Sequence, residues 1–284
     1  VFTNVTRDHL DYHGTMAAYL AAKLKLAGML GATGVVVVGA DEDAWRALPR
    51  GGRRLTFGLR PEADVRGCDL VLEARGSRFT LAGRFGSAPV TLPILGDFNV
   101  ANALAAAAGA VALGLPPAEV ADRLGSAPQV PGRMERLTDH PCVVLRDYAH
   151  TPDALERALK TLRPLTRGRL VVVFGCGGDR DRGKRPLMGR LAAVHADLAI
   201  ATSDNPRTED PEAILDEVER GMAGVPHLRI PDRLAAIRHA LADAAPDDTI
   251  LLAGKGHETY QIVGTERRPF DEREIVRREV SGEQ

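Results

Sequence analysis

Val35-Val36-Val37-Val38-Gly39 is a continuous apolar run of strand length. Ahead of it, Met16, Tyr19, Leu20, Lys23, Leu24 and Ala27 recur at helical spacing, so the polar residues 6–14 form a loop feeding a helix over 16–30. Val1 to Asn4 read as the end of a strand entering that loop. Beyond Gly39, short apolar runs at 55–57, 70–73, 79–82 and 90–92 are separated by Gly and Pro, which predicts strands, some antiparallel. An Ala-rich stretch at 99–113, stopped by Gly114 and Pro116-Pro117, predicts a helix, and a second short one follows at 117–124.

The pattern changes across residues 126–132, where two prolines and a glycine bracket a linker, dividing the chain into domains 1–130 and 131–284. After it, apolar runs at 143–145, 170–174, 198–200 and 250–252 alternate with amphipathic segments at 152–164, 184–195, 211–222 and 232–244. Strand-helix alternation of this kind builds parallel strands with right-handed crossovers, a Rossmann-like, doubly wound α/β domain. Such domains bind ligands at the carboxyl ends of their strands. Polar clusters fall at those ends here: Asp147-Tyr148-Ala149-His150, residues 175–184, 203–207 and 254–258. A purely structural domain needs only turns there, so a binding site is expected.

Charge narrows the partners. With 37 Lys and Arg against 38 Asp and Glu, and no block of like charges, the chain lacks the electrostatic footprint of a nucleic-acid or anionic-membrane binder. The longest apolar stretches are Ala-rich, interrupted by Gly and too short to span a bilayer. No nucleic acid, no membrane, a cytoplasmic location and a monomer are the expectations. Cys68, Cys142 and Cys176 stand far apart without paired spacing, which argues against disulfides or a zinc cluster.

Residues 178–184 match the G-x-x-x-x-G-K of a phosphate loop, but Arg185 stands where that motif needs a Ser or Thr hydroxyl, and two aspartates would face the phosphates. The segment reads either as a charged glycine turn or as a place where Arg180 and Arg182 grip carboxylates. Asp204-Asn205-Pro206-Arg207 alone is an Asn-Pro turn; as a group, the guanidinium suits the carboxylate of an amino acid and the aspartate its ammonium. Gly254-Lys255-Gly256-His257-Glu258 offers freed backbone N–H groups and a further carboxylate. Asp8-His9-Leu10-Asp11-Tyr12-His13 is either helix capping or a mixed N/O set for magnesium or manganese.

Together these segments resemble the ATP-dependent Mur ligases, and among them the tripeptide synthetases. The resemblance runs through residues 4–14 (NVTRDHLDYHG), 19–23 (YLAAK), 96–102 (GDFNVAN), 132–135 (GRME), 147–153 (DYAHTPD), 175–189 (GCGGDRDRGKRPLMG), 204–207 (DNPR) and 253–258 (AGKGHE). It implies the remainder of a central ATPase domain over 1–130, with the family's phosphate loop lying upstream of Val1, followed by the C-terminal domain that brings the amino acid. The chain then reads as N-terminally truncated and inactive alone. ATP and Mg2+ are the implied cofactors, and UDP-N-acetylmuramoyl dipeptide and meso-diaminopimelate the implied substrates. Lys23 resembles a lysine carbamylated by carbon dioxide, and His9 its companion at a second magnesium. Asn102, Arg133 and Asp147 resemble nucleotide contacts. Arg180, Asp204, Asn205, Pro206, Arg207, Gly254 and Glu258 resemble the pocket for the added amino acid, where Arg207 favours diaminopimelate over lysine because diaminopimelate carries a second carboxylate. Ser203 departs from the acidic residue common in the family. Another amino-acid ligase of the same superfamily (lysine-adding, cyanophycin or folylpolyglutamate synthetase), or a non-catalytic amino-acid-binding module, is the competing reading.

Overall fold

The computed structural model describes residues 1–6, 10–49 and 51–282, and these form two compact units, Val1–Pro128 and Gln129–Gln284.

In the first unit, α1 (Leu10–His13) and α2 (Met16–Leu24) precede β1 (Val35–Gly39). The helix anticipated over 16–30 gives way after Leu24 to a tighter 3-10 turn over Lys25–Met29, which contains Gly28, a poor helix former. The Thr15 hydroxyl caps α2 by accepting from the Ala18 N–H at 3.2 Å. Phe2 bridges Val38 in parallel, as the strand-end reading of Val1 to Asn4 expects. Next come β2 (Arg53–Gly58), β3 (Val65–Glu73), β4 (Gly76–Gly83) and β5 (Gly86–Leu92), which with β1 make one sheet in the order β1-β2-β3-β4-β5. The first three strands are parallel and the last three antiparallel. α3 (Asp97–Ala112) and α4 (Pro117–Gly125) cover it. Small side chains at Ala103, Ala107 and Ala108 let α3 lie against Val37, Leu55, Phe57, Leu81 and Val90.

The second unit opens with β6 (Glu135–Thr138), β7 (Val143–Asp147), α5 (Pro152–Leu162), β8 (Leu170–Phe174), α6 (Lys184–His195), β9 (Leu198–Ala201) and α7 (Pro211–Glu219). It continues with β10 (Leu228–Arg229), α8 (Arg233–Ala242), β11 (Thr249–Ala253), β12 (Tyr260–Val263), β13 (Glu266–Pro269) and α9 (Glu272–Ser281). The sheet order is β10-β9-β8-β11-β7-β6, parallel except for β6 at the edge. This is the doubly wound domain the alternation predicts. Because successive strand residues face opposite sides, Val171, Val173, Ile250 and Leu252 pack on Ala236, Ile237 and Ala240 of α8 and Val276 of α9, while Leu170, Val172 and Phe174 face the other way. The order places the carboxyl ends of β9, β8, β11 and β7 side by side, so the four polar clusters share one rim.

Three elements had no apolar signal. β6 and β10 are four and two residues long, and the β12-β13 hairpin exposes all of Glu266-Arg267-Arg268-Pro269, so hydrophobic patterning passes over them. Among the described residues no helix is long and apolar enough to cross a membrane.

Candidate functional site

On the rim of the second unit, Asp204 leaves β9 with its side chain buried, 8% of the residue exposed, and its Oδ2 has no hydrogen-bond partner among the described residues. It stands over Gly254 at the end of β11: a Cβ there would lie 2.6 Å from Oδ2, and the backbone φ of +114° is one that side chains disfavour. Asn205, 4% exposed, donates from Nδ2 to Glu258 Oε2 at 2.8 Å. Its Oδ1 accepts from Ile262 N at 2.9 Å and from Lys255 Nζ at 3.2 Å. Arg207 has φ 53° and donates from Nη1 to the Gly178 carbonyl at 2.8 Å. The Pro206 carbonyl abuts Gly178 so closely that only glycine fits there. Segments 175–184, 204–207 and 254–258 therefore converge.

The hairpin holds them in place. Arg207 N–H donates to Ile262 O at 3.1 Å, Gly264 N–H to Arg207 O at 2.7 Å, and Gln261 Nε2 to Asp204 O at 2.7 Å. Of the two arginines read as carboxylate grips, Arg182 is engaged by Glu217, whereas Arg180 is exposed and donates to the Asp179 carbonyl at 3.1 Å. Arg185, the residue that breaks the phosphate-loop motif, is buried between Glu209 (2.7 Å) and Glu217 (2.8 Å). Its hydrogen bond holds the Glu209 carboxyl down at about 2.

A second group forms at β7. Asp147, 5% exposed, accepts the Met134 N–H at 2.7 Å, and burial pushes its pKa up to about 6, against the pull of that bond, of Arg133 and of the Ala149 N–H. Arg133 is exposed and lies 5.1 Å over the Tyr148 ring. The turn that presents it rests on Glu135, whose Oε2 accepts from Gly132 N (2.7 Å) and Arg146 Nε (2.6 Å). Burial raises the Glu135 carboxyl, but hydrogen bonds from Gly132, Arg146 and Arg273 outweigh it and leave the pKa below the ordinary value. Gly132 has φ +69°, and a Cβ on it would run into the backbone of Gly256 and His257, so the 132–135 turn is packed directly on the 254–258 loop.

In the first unit, Lys23 is half-buried near the end of α2 with Nζ 4.8 Å from the Tyr19 ring centroid. His9 lies outside the described residues. Asn102 is exposed on α3 and donates from Nδ2 to Asn99 Oδ1 at 3.2 Å. Among the described residues no group of three or more His, Cys, Asp or Glu side chains is placed to hold a metal ion. An ammonium cannot ligate a cation, so Lys23 fits a magnesium ion only as a carbamate. The exposed guanidinium of Arg133 and amide of Asn102 are of the types a nucleotide engages.

Residue types alone assign no supporting role to Lys255, Arg185, Arg233 or Gln261. Lys255 lies in a segment whose glycines and glutamate carry the sequence signal. Arg233 is fully buried against Glu272 at 2.8 Å and donates to the Ala253 carbonyl at 2.9 Å, directly before Gly254. Nothing along the sequence distinguishes it from a surface helix residue.

Residues 1–110 match the family model described as the Mur ligase middle domain, and residues 132–256 that described as Mur ligase, glutamate ligase domain. A relative from Alkalilimnicola ehrlichii, named UDP-N-acetylmuramoyl-L-alanyl-D-glutamate--2,6-diaminopimelate ligase, is 49% identical over 284 residues, covering 97% of this chain and 57% of the relative. One of the same name from Gloeobacter violaceus is 47% identical, covering 99% of this chain and 58% of the relative. A solved structure described by that name has 39% identity and a TM-score of 0.63, with 99% of this chain and 59% of that one covered. A pseudomurein peptide ligase type C from Methanothermus fervidus has a TM-score of 0.72 at 22% identity, covering 89% of this chain and 60% of that one, a likeness of fold alone. The chain spans well under two thirds of the length of these relatives.

Proposed function

Because the chain belongs to the Mur ligase family, we propose that, within an intact ligase, it joins meso-diaminopimelate to the D-glutamyl residue of UDP-N-acetylmuramoyl-L-alanyl-D-glutamate in an ATP-dependent amide-forming step of peptidoglycan precursor synthesis. The observation that carries this reading is the convergence of Asp204, Asn205, Arg207, Gly254 and Glu258 on one rim, with a buried carboxylate oxygen of Asp204 left without a partner among the described residues. A buried unpartnered carboxylate oxygen is costly unless a ligand answers it, and an amino acid's ammonium is such a ligand.

When bound, ATP supplies the phosphoryl group that turns the substrate carboxylate into an acyl phosphate, which the incoming amine attacks with loss of phosphate. This chain's residues position the partners. Asp204 and Glu258 take the ammonium at the end of diaminopimelate that does not react, and Arg207, with Arg180 at the mouth, takes its carboxylate. Lysine lacks that carboxylate, so the same pocket would hold a guanidinium without its anion. Pro206 sets the bend that turns Arg207 back toward Gly178. Arg133, Asp147 and Asn102 would hold the nucleotide, Asp147 on its ribose side, and Lys23, as a carbamate, and His9 would hold magnesium, which would offset the phosphate charge. The enzyme acts in the cytoplasm as a monomer.

The test is ligation by the intact enzyme supplied with ATP, Mg2+, the UDP-linked dipeptide and either meso-diaminopimelate or L-lysine. Release of phosphate with diaminopimelate alone is the expected result. Binding of diaminopimelate without turnover would support the binding module instead, and turnover with lysine a lysine-adding ligase.

A further inference from the structure

Lys255 is fully buried, and no step above uses it. Its ammonium lies 3.2 Å from Asn205 Oδ1 and 3.4 Å from Glu258 Oε2, the charged groups around it being Asp204, Arg233, Glu258 and Glu272. Asn205 Oδ1 thus faces two donors, Lys255 Nζ and the Ile262 N–H, while Nδ2 faces the Glu258 carboxylate. Turned over, the amide would set its NH2 group against an ammonium and a backbone N–H, and its oxygen against a carboxylate. Every contact would be donor to donor or acceptor to acceptor.

We propose that Lys255 is a positioning residue of the amino-acid pocket: its ammonium fixes the facing of the Asn205 amide, through which Glu258 is held, and balances one of the two pocket carboxylates. This deepens the proposed function and rests on it. Asp204 and Glu258 together carry two negative charges, and Lys255 reduces the set to one, the complement of a single substrate ammonium. Without it, two carboxylates would share the one ammonium the pocket takes, and one of them would stay buried without a cation. Burial holds the Lys255 pKa below its ordinary value, and Asp204 opposes that effect, so the ammonium depends on the carboxylates it orients.

The experiment compares the intact wild-type ligase with Lys255→Met, which keeps an unbranched side chain and removes the charge, by steady-state kinetics and by calorimetric titration with meso-diaminopimelate. The expected result is a rise of about ten- to hundred-fold in KM and Kd for diaminopimelate, the loss typical of a charged hydrogen-bond partner. KM for ATP and for the UDP-linked dipeptide, and kcat at saturation, should stay within about threefold. Should Lys255→Met fail to accumulate as folded protein, Lys255→Gln, which keeps a donor for Asn205 Oδ1 but no charge, is expected to show the same split. An unchanged diaminopimelate KM, or equal changes in all three KM values, would overturn the assignment while leaving the proposed function standing. A wild-type enzyme that neither binds nor ligates diaminopimelate would overturn the proposed function, and this inference with it.

Discussion

The Asn205 amide donates to Oε2 of Glu258 at 2.8 Å, joining residues 53 positions apart. One comes from the loop after β9 and the other from the loop after β11, two strands separated in the sheet only by β8. A change on either side alters both, so substitutions in the two segments should be non-additive.

Replacing Arg207 by Ala removes the guanidinium assigned to the substrate's second carboxylate, together with its bond to the Gly178 carbonyl. In the intact enzyme kcat/KM for meso-diaminopimelate is expected to fall about a hundred-fold. Lysine should gain little, because the carboxylates that take its side-chain ammonium are unchanged and losing the cation adds no contact to it. The readout is the ratio of kcat/KM for the two amino acids. An unchanged ratio would reduce Arg207 to a support for Gly178 and transfer the second carboxylate to Arg180.

Asp147 makes stability depend on pH. Its native pKa is raised from 3.8 to about 6, so the folded state favours the protonated form. Its favourable contribution is fully present below pH 3.8 and is lost as pH rises through about 6. Asp147→Asn keeps an acceptor for the Met134 N–H and cannot ionise. Between pH 4 and pH 7 the wild type should therefore lose about 1–3 kcal/mol relative to the variant. Urea denaturation of both proteins across that range measures the difference, and parallel curves would place the Asp147 pKa near its ordinary value.

Arg185 ties the 175–184 loop to Glu209 and to Glu217 of α7 from a position 1% exposed. Arg185→Met would strip the Glu209 carboxylate of its cation and leave Glu217 with Arg182 alone, at a cost of about 3 kcal/mol. Glu209 contributes in the sense opposite to Asp147: its native pKa is lowered from 4.5 to about 2, so its stabilisation is present above pH 4.5 and lost as pH falls toward 2. Chemical denaturation of wild type and variant at pH 7 and pH 3 checks both statements. The gap should shrink at the lower pH, and a gap below about 0.5 kcal/mol at pH 7 would mean that solvent replaces the guanidinium.

Parallel strands buried on both faces must be apolar without interruption, so β7, β8, β9 and β11 stand out along the sequence as apolar runs. α6 begins and ends where its amphipathic pattern does, at Lys184 and His195. The β12-β13 hairpin is silent in the pattern because its strands bury no continuous apolar face, yet it clamps Arg207 through main-chain bonds and the Asp204 carbonyl through the Gln261 side-chain amide.

The amino-acid sequence by itself determined that a doubly wound domain exists, that polar clusters sit at the carboxyl ends of its strands, and which residue types they carry. All of these are properties of short segments, written in hydrophobic period and local composition. Only the tertiary structure decided that the clusters meet, that Asp204 Oδ2 is left over Gly254, and that Lys255, Arg185 and Arg233 are buried ions rather than solvated ones. Those outcomes depend on the strand order β9-β8-β11-β7, which is set by how helices pack on the two faces of the sheet. A charged residue reads the same along the chain whether its partner fifty residues away is brought to 3 Å or left in water.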